Sequence, residues 1–316
     1  MPEFSVILPT RGDSPHLRAA VASAMAGAGD IEILLVHDRR QGEPALAPEV
    51  WSDPRVRASC SPGPGPAAAR NAGLELARGR YIALLDDDDL WLTDHRARSC
   101  EALARDPAAV LVAADAYLLD DTTEDGSASA PGDPTGLRRF LPGRPTGAVT
   151  LRDLLLANVI LTPTVVIARE RLAPGSRFRE DLRVMEDYEL WLRLARHGRL
   201  LFDSRPGAIV RRRHGSASRD RRAMAEASIR IVEGVLAEGL PAGVLTPAAA
   251  RWRLGRLWHD LAYACLAEGD TRGARRAAWR SAGHLPGLGK NYAYLLASLL
   301  PRRSLRDTLA ARRRPS

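Results

Sequence analysis

Residues 81–91 run Tyr81-Ile82-Ala83-Leu84-Leu85-Asp86-Asp87-Asp88-Asp89-Leu90-Trp91, an apolar segment that passes directly into four aspartates. The apolar run from Tyr81 to Leu85 predicts a buried strand, and the aspartates follow at its C-terminal end. Four adjacent carboxylates repel one another unless cations are near. Mg²⁺ or Mn²⁺ takes oxygen ligands, typically one or two carboxylates plus substrate phosphates. The bland alternative is an acidic helix start on a solvated loop. Placement directly after a hydrophobic strand favours the cation reading, because open α/β sheets bind ligands beyond the carboxyl ends of their strands.

Working outward, short apolar runs alternate with helical patterns through the first 120 residues. Val6 to Leu8 reads as the first strand, and Ser14 is placed to cap a helix from Pro15 that carries Leu17, Val21, Ala24 and Met25. Ile31 to Val36 is a second strand, a weaker one lies near Val56, and Ala67 to Arg78 reads as a helix stopped by Gly79. Such alternation predicts βαβ units, hence an α/β fold with a mostly parallel sheet flanked by helices. Downstream, Val110 to Leu119, Thr164 to Ala168 and Ala208 to Arg211 read as strands and Asp187 to Arg196 as a helix; Asp120 to Ala148 reads as a long loop. From Ala223 the pattern is helical throughout, with a hairpin from Trp252 to His284 around Glu268-Gly269-Asp270. The expected organisation is a domain over 1–222, with halves at about 1–119 and 120–222, and an all-α region over 223–316.

Composition narrows the class. Hydrophobic residues at 45% and charged residues at 27% describe a globular chain. The net charge of +8 favours anionic partners such as nucleotide diphosphates, phosphorylated acceptors or an acidic membrane surface. Nucleic acid is disfavoured, since no recognition motif accompanies the charge. Cys60, Cys100 and Cys265 are too few and too scattered for a disulfide framework, which fits a reducing cytoplasm. Neither a signal peptide nor an apolar stretch of membrane-spanning length is read. After the apolar Tyr294 to Leu300, Arg302 to Arg314 places six arginines against Asp307, a segment that could dock peripherally on the inner face of an anionic membrane or simply end a packed helix.

Four segments together resemble a family 2 inverting glycosyltransferase of the GT-A fold. They are Val6-Ile7-Leu8-Pro9-Thr10-Arg11, Ala69-Arg70-Asn71-Ala72-Gly73, the strand with its acidic run, and Glu186-Asp187-Tyr188-Glu189-Leu190-Trp191-Leu192-Arg193-Leu194. The resemblance implies a Rossmann-like nucleotide-binding half and a nucleoside-diphosphate sugar as donor. It implies that Pro9, Thr10 and Arg11 line the nucleotide pocket, that Asp38 reads the base, and that Arg70 helps hold the nucleotide. Asp38 stands in His37-Asp38-Arg39-Arg40 where the family usually shows Asp-Asp-Gly-Ser. The resemblance places Asp86 and Asp87 toward ribose and diphosphate and Asp88 on the metal, with Asp89 capping a following helix. His214, after Arg211-Arg212-Arg213, resembles a further metal ligand; a structural histidine is the plain alternative, and the arginines read as a phosphate patch or a solvated run. The resemblance implies a saccharide, lipid-linked or small-molecule acceptor.

Asp187 is the expected general base. With Leu190, Trp191 and Leu194 it falls at i, i+3, i+4 and i+7 of a helix, the buried face, whereas Glu189 lies on the opposite side. Desolvation there would raise its proton affinity, suiting it to accept a proton from an acceptor hydroxyl, with Glu186 the next candidate. Competing readings are a non-catalytic sugar-nucleotide-binding or scaffold protein and a haloacid-dehalogenase-like phosphatase using Asp86 and Asp88. The phosphatase lacks its essential downstream lysine, because Lys290, the only lysine, sits in the helical region.

Overall fold

The computed structural model describes residues 2–26, 30–38, 53–121, 132–213 and 219–299. Its contacts divide the chain into two compact units, Met1–His214 and Gly215–Ser316, so the division falls shortly before the 222/223 junction read from sequence.

The first unit contains β1 (Phe4–Thr10), α1 (Leu17–Met25), β2 (Ile31–His37), β3 (Val56–Cys60), α2 (Pro66–Leu76), β4 (Tyr81–Leu84), β5 (Leu90–Trp91), α3 (His95–Arg105), β6 (Ala109–Asp120), β7 (Arg138–Arg139), β8 (Gly147–Val149), α4 (Leu151–Leu156), β9 (Val166–Ala168), α5 (Glu186–His197) and β10 (Arg199–Arg212). The strands form one ten-stranded sheet in the order β3-β2-β1-β4-β9-β6-β10-β5, with β7 paired to β6 and β8 to β10. β3, β2, β1 and β4 run parallel, β9 is antiparallel to both neighbours, and β6 and β10 are parallel again. The expected mostly parallel α/β sheet is present. β1 and β2 are buried along their whole length, as strands covered on both faces must be, which explains their continuous apolar runs.

This order positions the site. From β1 the chain steps outward through β2 to β3, then returns to pair β4 on the other side of β1. The connections diverge between β1 and β4, which opens a crevice beyond their carboxyl ends, and the acidic run leaves β4 at that point. β10 extends for 14 residues beside β6, with register shifts around Pro206, whose missing N–H interrupts the ladder. Its length carries Arg211 back to the same crevice.

Several local expectations are corrected. Ser14 does not cap α1, which starts at Leu17; its hydroxyl donates to the Asp87 carbonyl at 3.1 Å and accepts from the His16 N–H. α2 ends at Leu76, before Gly79. Gly79 is required for another reason: a Cβ there would lie 2.5 Å from the Ser5 nitrogen and 2.6 Å from the Phe4 carbonyl carbon, and Ser5 Oγ accepts its N–H at 2.8 Å. Within the expected 120–148 loop, residues 122–131 lie outside the described residues, but β7 and β8 are ordered strands. The fully buried Asp115 anchors the first of them, accepting Arg139 Nε at 2.7 Å and the Leu141 N–H at 2.9 Å.

The second unit is helical among its described residues: α6 (Arg221–Ala237), α7 (Pro247–Glu268), α8 (Thr271–His284) and α9 (Gly289–Ala297). The α7–α8 hairpin turns on Gly269, left-handed at φ 80°, as its sequence predicts. Asn291 ties three helices together, its Oδ1 lying 2.9 Å from both His259 Nδ1 and Ser281 Oγ.

Gly79→Ala should cost about 2–3 kcal/mol, because the new methyl meets backbone that cannot rotate away. A thermal melt should show Tm lower by roughly 5 °C or more; an unchanged Tm would mean that this close approach is absent.

Candidate active site

Each aspartate of the run has a different partner, and the partners come from α2, β1 and the end of β10. Asp86 Oδ1 accepts Arg70 Nη2 at 2.7 Å, from α2. Asp87 Oδ2 accepts the Thr10 hydroxyl at 2.6 Å, from the end of β1. Asp88 Oδ2 accepts Arg213 Nε at 2.7 Å, just after β10. Asp89 does not cap a helix: no helix starts there, and α3 begins only at His95. It is buried at 2% exposure, its Oδ1 accepting the Arg211 N–H at 2.7 Å, so it fastens the run to β10. Arg211 is itself buried, reaching the Asp88 carbonyl at 3.2 Å and Asp121 at 3.4 Å, and is no solvated residue.

Burial crowds these carboxylates into a shared field. It raises Asp87 to about 6, with the charges of Asp88 and Asp86 adding to the effect and the Thr10 hydroxyl opposing it. Asp88 is raised by burial against the pull of Arg213, and Asp89 well above the usual carboxylate range by burial and then by Asp88 and Asp86.

Arg70 is the link to the other half of the site. Only 5% exposed, it gives Nη2 to Asp86 and Nη1 to Glu186 at 2.6 Å, so one guanidinium joins the end of β4 to the first turn of α5. Burial opposes its charge, but Asp86 and then Glu186 outweigh it and hold Arg70 charged. Burial pushes Glu186 up to about 7, against Arg70 and with Asp187 contributing. α5 is entered through Met185, in the left-handed region at φ 66°, a conformation costing about 1–2 kcal/mol outside glycine. That turn places Glu186 and Asp187 together at the helix start.

Asp187 is half-buried, with Oδ2 accepting the Thr162 hydroxyl at 2.5 Å and Oδ1 the Tyr188 N–H at 2.6 Å. Glu189 is not on a solvent face; it is buried and holds Arg193 at 2.8 Å, because α5 also buries Tyr188 and Leu192 and so packs over more than one side. Pro9 and Thr10 lie buried at the end of β1 and Arg11 is exposed, with its carbonyl 2.9 Å from His37 Nε2. Asp38 directly follows β2 and accepts the Gly65 N–H at 2.6 Å, which steadies the turn into α2. His214 and the segment Arg302 to Arg314 lie outside the described residues. Sequence reading missed the Thr162 contact to Asp187 and the binding of the acidic run to Arg211 and Arg213. Nothing in the chain's periodicity signals partners 25 or 125 positions apart.

The Arg70 clamp makes a stability prediction. Arg70→Met leaves Glu186 buried without its cation and should cost about 3 kcal/mol. Adding Glu186→Gln should recover a kcal/mol or more, read as the coupling in a urea-denaturation double-mutant cycle. Additive losses would show that the pair is not coupled.

Residues 5–151 match the family described as Glycosyl transferase family 2. Succinoglycan biosynthesis protein ExoO of Rhizobium meliloti is 32% identical over 231 residues, covering 69% of this chain; the chain spans 63% of that relative's length. Among solved structures, S. aureus TarS 1–349 in complex with UDP-GlcNAc superposes with a TM-score of 0.60 at 15% identity, over 98% of this chain and 92% of that one. The mannosyltransferase PcManGT of Pyrobaculum calidifontis, in complex with GDP-Man and Mn²⁺, superposes at 0.57 with 17% identity, over 98% and 84%. The two structures establish the GT-A fold, and the sequence match, which runs from β1 through the acidic run to the start of α4, places residues 5–151 in glycosyl transferase family 2.

Proposed function

We propose that this chain is an inverting glycosyltransferase that moves a sugar from a nucleoside-diphosphate sugar to an acceptor hydroxyl. The observation that carries the reading is the Arg70 clamp, which brings the acidic run and the Glu186-Asp187 pair to one crevice. One side of that crevice is built for a donor diphosphate and the other carries a carboxylate fit to act as a base. Pro9, Thr10 and Arg11 would border the nucleotide, Asp38 its base, and Asp86 and Asp87 the ribose and diphosphate.

A diphosphate beside Asp86, Asp87 and Asp88 meets net negative charge that Arg70 and Arg213 offset only in part. The donor chemistry of the run therefore fits Mg²⁺ or Mn²⁺: it is oxygen-only, and burial drives its carboxylates toward a neutral state that a nearby cation reverses. Asp88 would hold the ion, with His214 as a further ligand. Among the described residues no three carboxylates, imidazoles or thiolates converge as a protein cage, so phosphate oxygens would complete the shell. When bound, the ion neutralises charge growing on the departing phosphate.

The remaining work falls to the protein. Asp187 takes the proton of the acceptor hydroxyl as that oxygen attacks the anomeric carbon, while the nucleoside diphosphate leaves from the opposite face. Thr162 and the Tyr188 N–H fix the carboxylate's orientation while leaving lone pairs of the same group for the acceptor. Inversion follows from a single displacement. The acceptor, whether saccharide, lipid-linked sugar or small molecule, would be chosen by the 120–148 segment anchored on Asp115.

Asp187→Asn should keep the fold and nucleoside-diphosphate binding while slowing transfer by roughly a hundredfold or more. Transfer at the parent rate in a matched acceptor assay would move the base elsewhere, to Glu186 first. Asp88→Ala should abolish the part of nucleotide binding that depends on Mn²⁺, measured as the thermal shift given by nucleoside diphosphate with and without chelator. If parent and variant respond alike to chelator, Asp88 is not the ligand.

A further inference from the structure

Charge and apolar exposure are both segregated in the helical unit, and they coincide on α8 and α9. Between Thr271 and Leu299 the chain has Arg272, Arg275, Arg276, Arg280 and Lys290 and not a single aspartate or glutamate. The large apolar side chains standing most open among the described residues all belong to this unit: Trp279 at 71%, Leu296 at 67% and Leu299 at 66%, with Trp252 and Tyr292 near half. Trp279, Leu296 and Leu299 line one groove of about 450 Å³, with Arg275 and Arg276 at its rim. Arg275 also fixes the groove's shape, donating to the Ser298 carbonyl at 3.1 Å and the Ser298 hydroxyl at 3.3 Å, which holds the end of α9 beside α8.

Leaving three such side chains in water is unfavourable, so a partner that covers them is expected. Charge selects which one. A second copy placed face to face would set the Arg275 and Arg276 rims against each other. Residues 300–316 bring six arginines against Asp307 and meet the same repulsion. An anionic bilayer supplies both requirements: an apolar layer that takes up Trp279, Leu296 and Leu299, and phosphate headgroups level with the arginines. No described helix is long and apolar enough to cross a membrane, so the contact would lie in the interface.

We propose that the α8–α9 face docks the chain on anionic lipid bilayers, with Trp279, Leu296 and Leu299 inserted and Arg275 and Arg276 contacting headgroups. This inference rests on the helical unit alone and stands or falls independently of the sugar-transfer reading.

Vesicle flotation of the full chain tests it, comparing phosphatidylglycerol–phosphatidylcholine vesicles with phosphatidylcholine alone. The parent protein should float with the anionic vesicles, less so as salt rises, and remain behind with the uncharged ones. Trp279→Ser with Leu296→Ser and Leu299→Ser should reduce the bound fraction at least tenfold at an unchanged melting temperature. Arg276→Glu, an exposed charge reversal at the groove's rim, should weaken binding without removing an apolar side chain and serves if the triple variant melts early. Flotation of both variants like the parent would place docking elsewhere, as on residues 300–316, and overturn the proposal. Absence of parent flotation, or equal flotation on uncharged vesicles, would also overturn it. So would self-association in sedimentation that the triple variant abolishes while vesicle binding is absent.

Discussion

Four consecutive carboxylates at the end of a buried strand are the constraint around which the first unit is organised. Two like charges about 4 Å apart repel by about 4 kcal/mol at an effective dielectric near 20, so an unpartnered run would not stay folded against the sheet. The remedy is distributed. Arg70 comes from α2, Thr10 from β1, Arg213 from the end of β10 and the Arg211 N–H from its ladder, each taking one aspartate. The length of β10 follows from this, since a strand ending at Pro206 would leave Asp88 and Asp89 unmatched. So does the short β5, which pairs antiparallel with β10 and turns the chain away directly after Asp89.

The same distribution explains what could be read from the chain beforehand. β1, β2, β4 and most of β6 were legible because strands buried on both faces must be apolar throughout, and their order with α1 and α2 made the parallel half predictable. Only the last residues of β10 were recognisable: its first half alternates Arg199, Asp203 and Arg205 with buried Leu200 and Phe202, and Pro206 argues against any strand. Ser14 and Asp89 look like helix caps on local grounds. Both were claimed instead by partners far along the chain, Ser14 by the Asp87 carbonyl and Asp89 by Arg211. Helical periodicity placed Asp187 correctly at the inner edge of α5 but put Glu189 in solvent, because one-face amphipathicity underestimates a helix packed on two sides.

The Glu186-Asp187 pair shows how a fold can give neighbouring carboxylates different work. Glu186 is 6% exposed and spends its charge on Arg70, so its removal disturbs the junction between β4 and α5 before it disturbs any chemistry. Asp187 is half-open, and both of its hydrogen bonds come from neutral donors, Thr162 and a backbone N–H, which orient the carboxylate, while Arg70 acts on it through space. A group that must accept a proton from an acceptor hydroxyl needs access and a fixed direction. Glu186 lacks the access, whereas Asp187 combines access with orientation. The left-handed turn at Met185 is what separates them, because it starts α5 with Glu186 directed at Arg70 and the next residue directed at Thr162. On the proposed reading, that strain is retained because a relaxed entry to α5 would release the clamp and misdirect the base together.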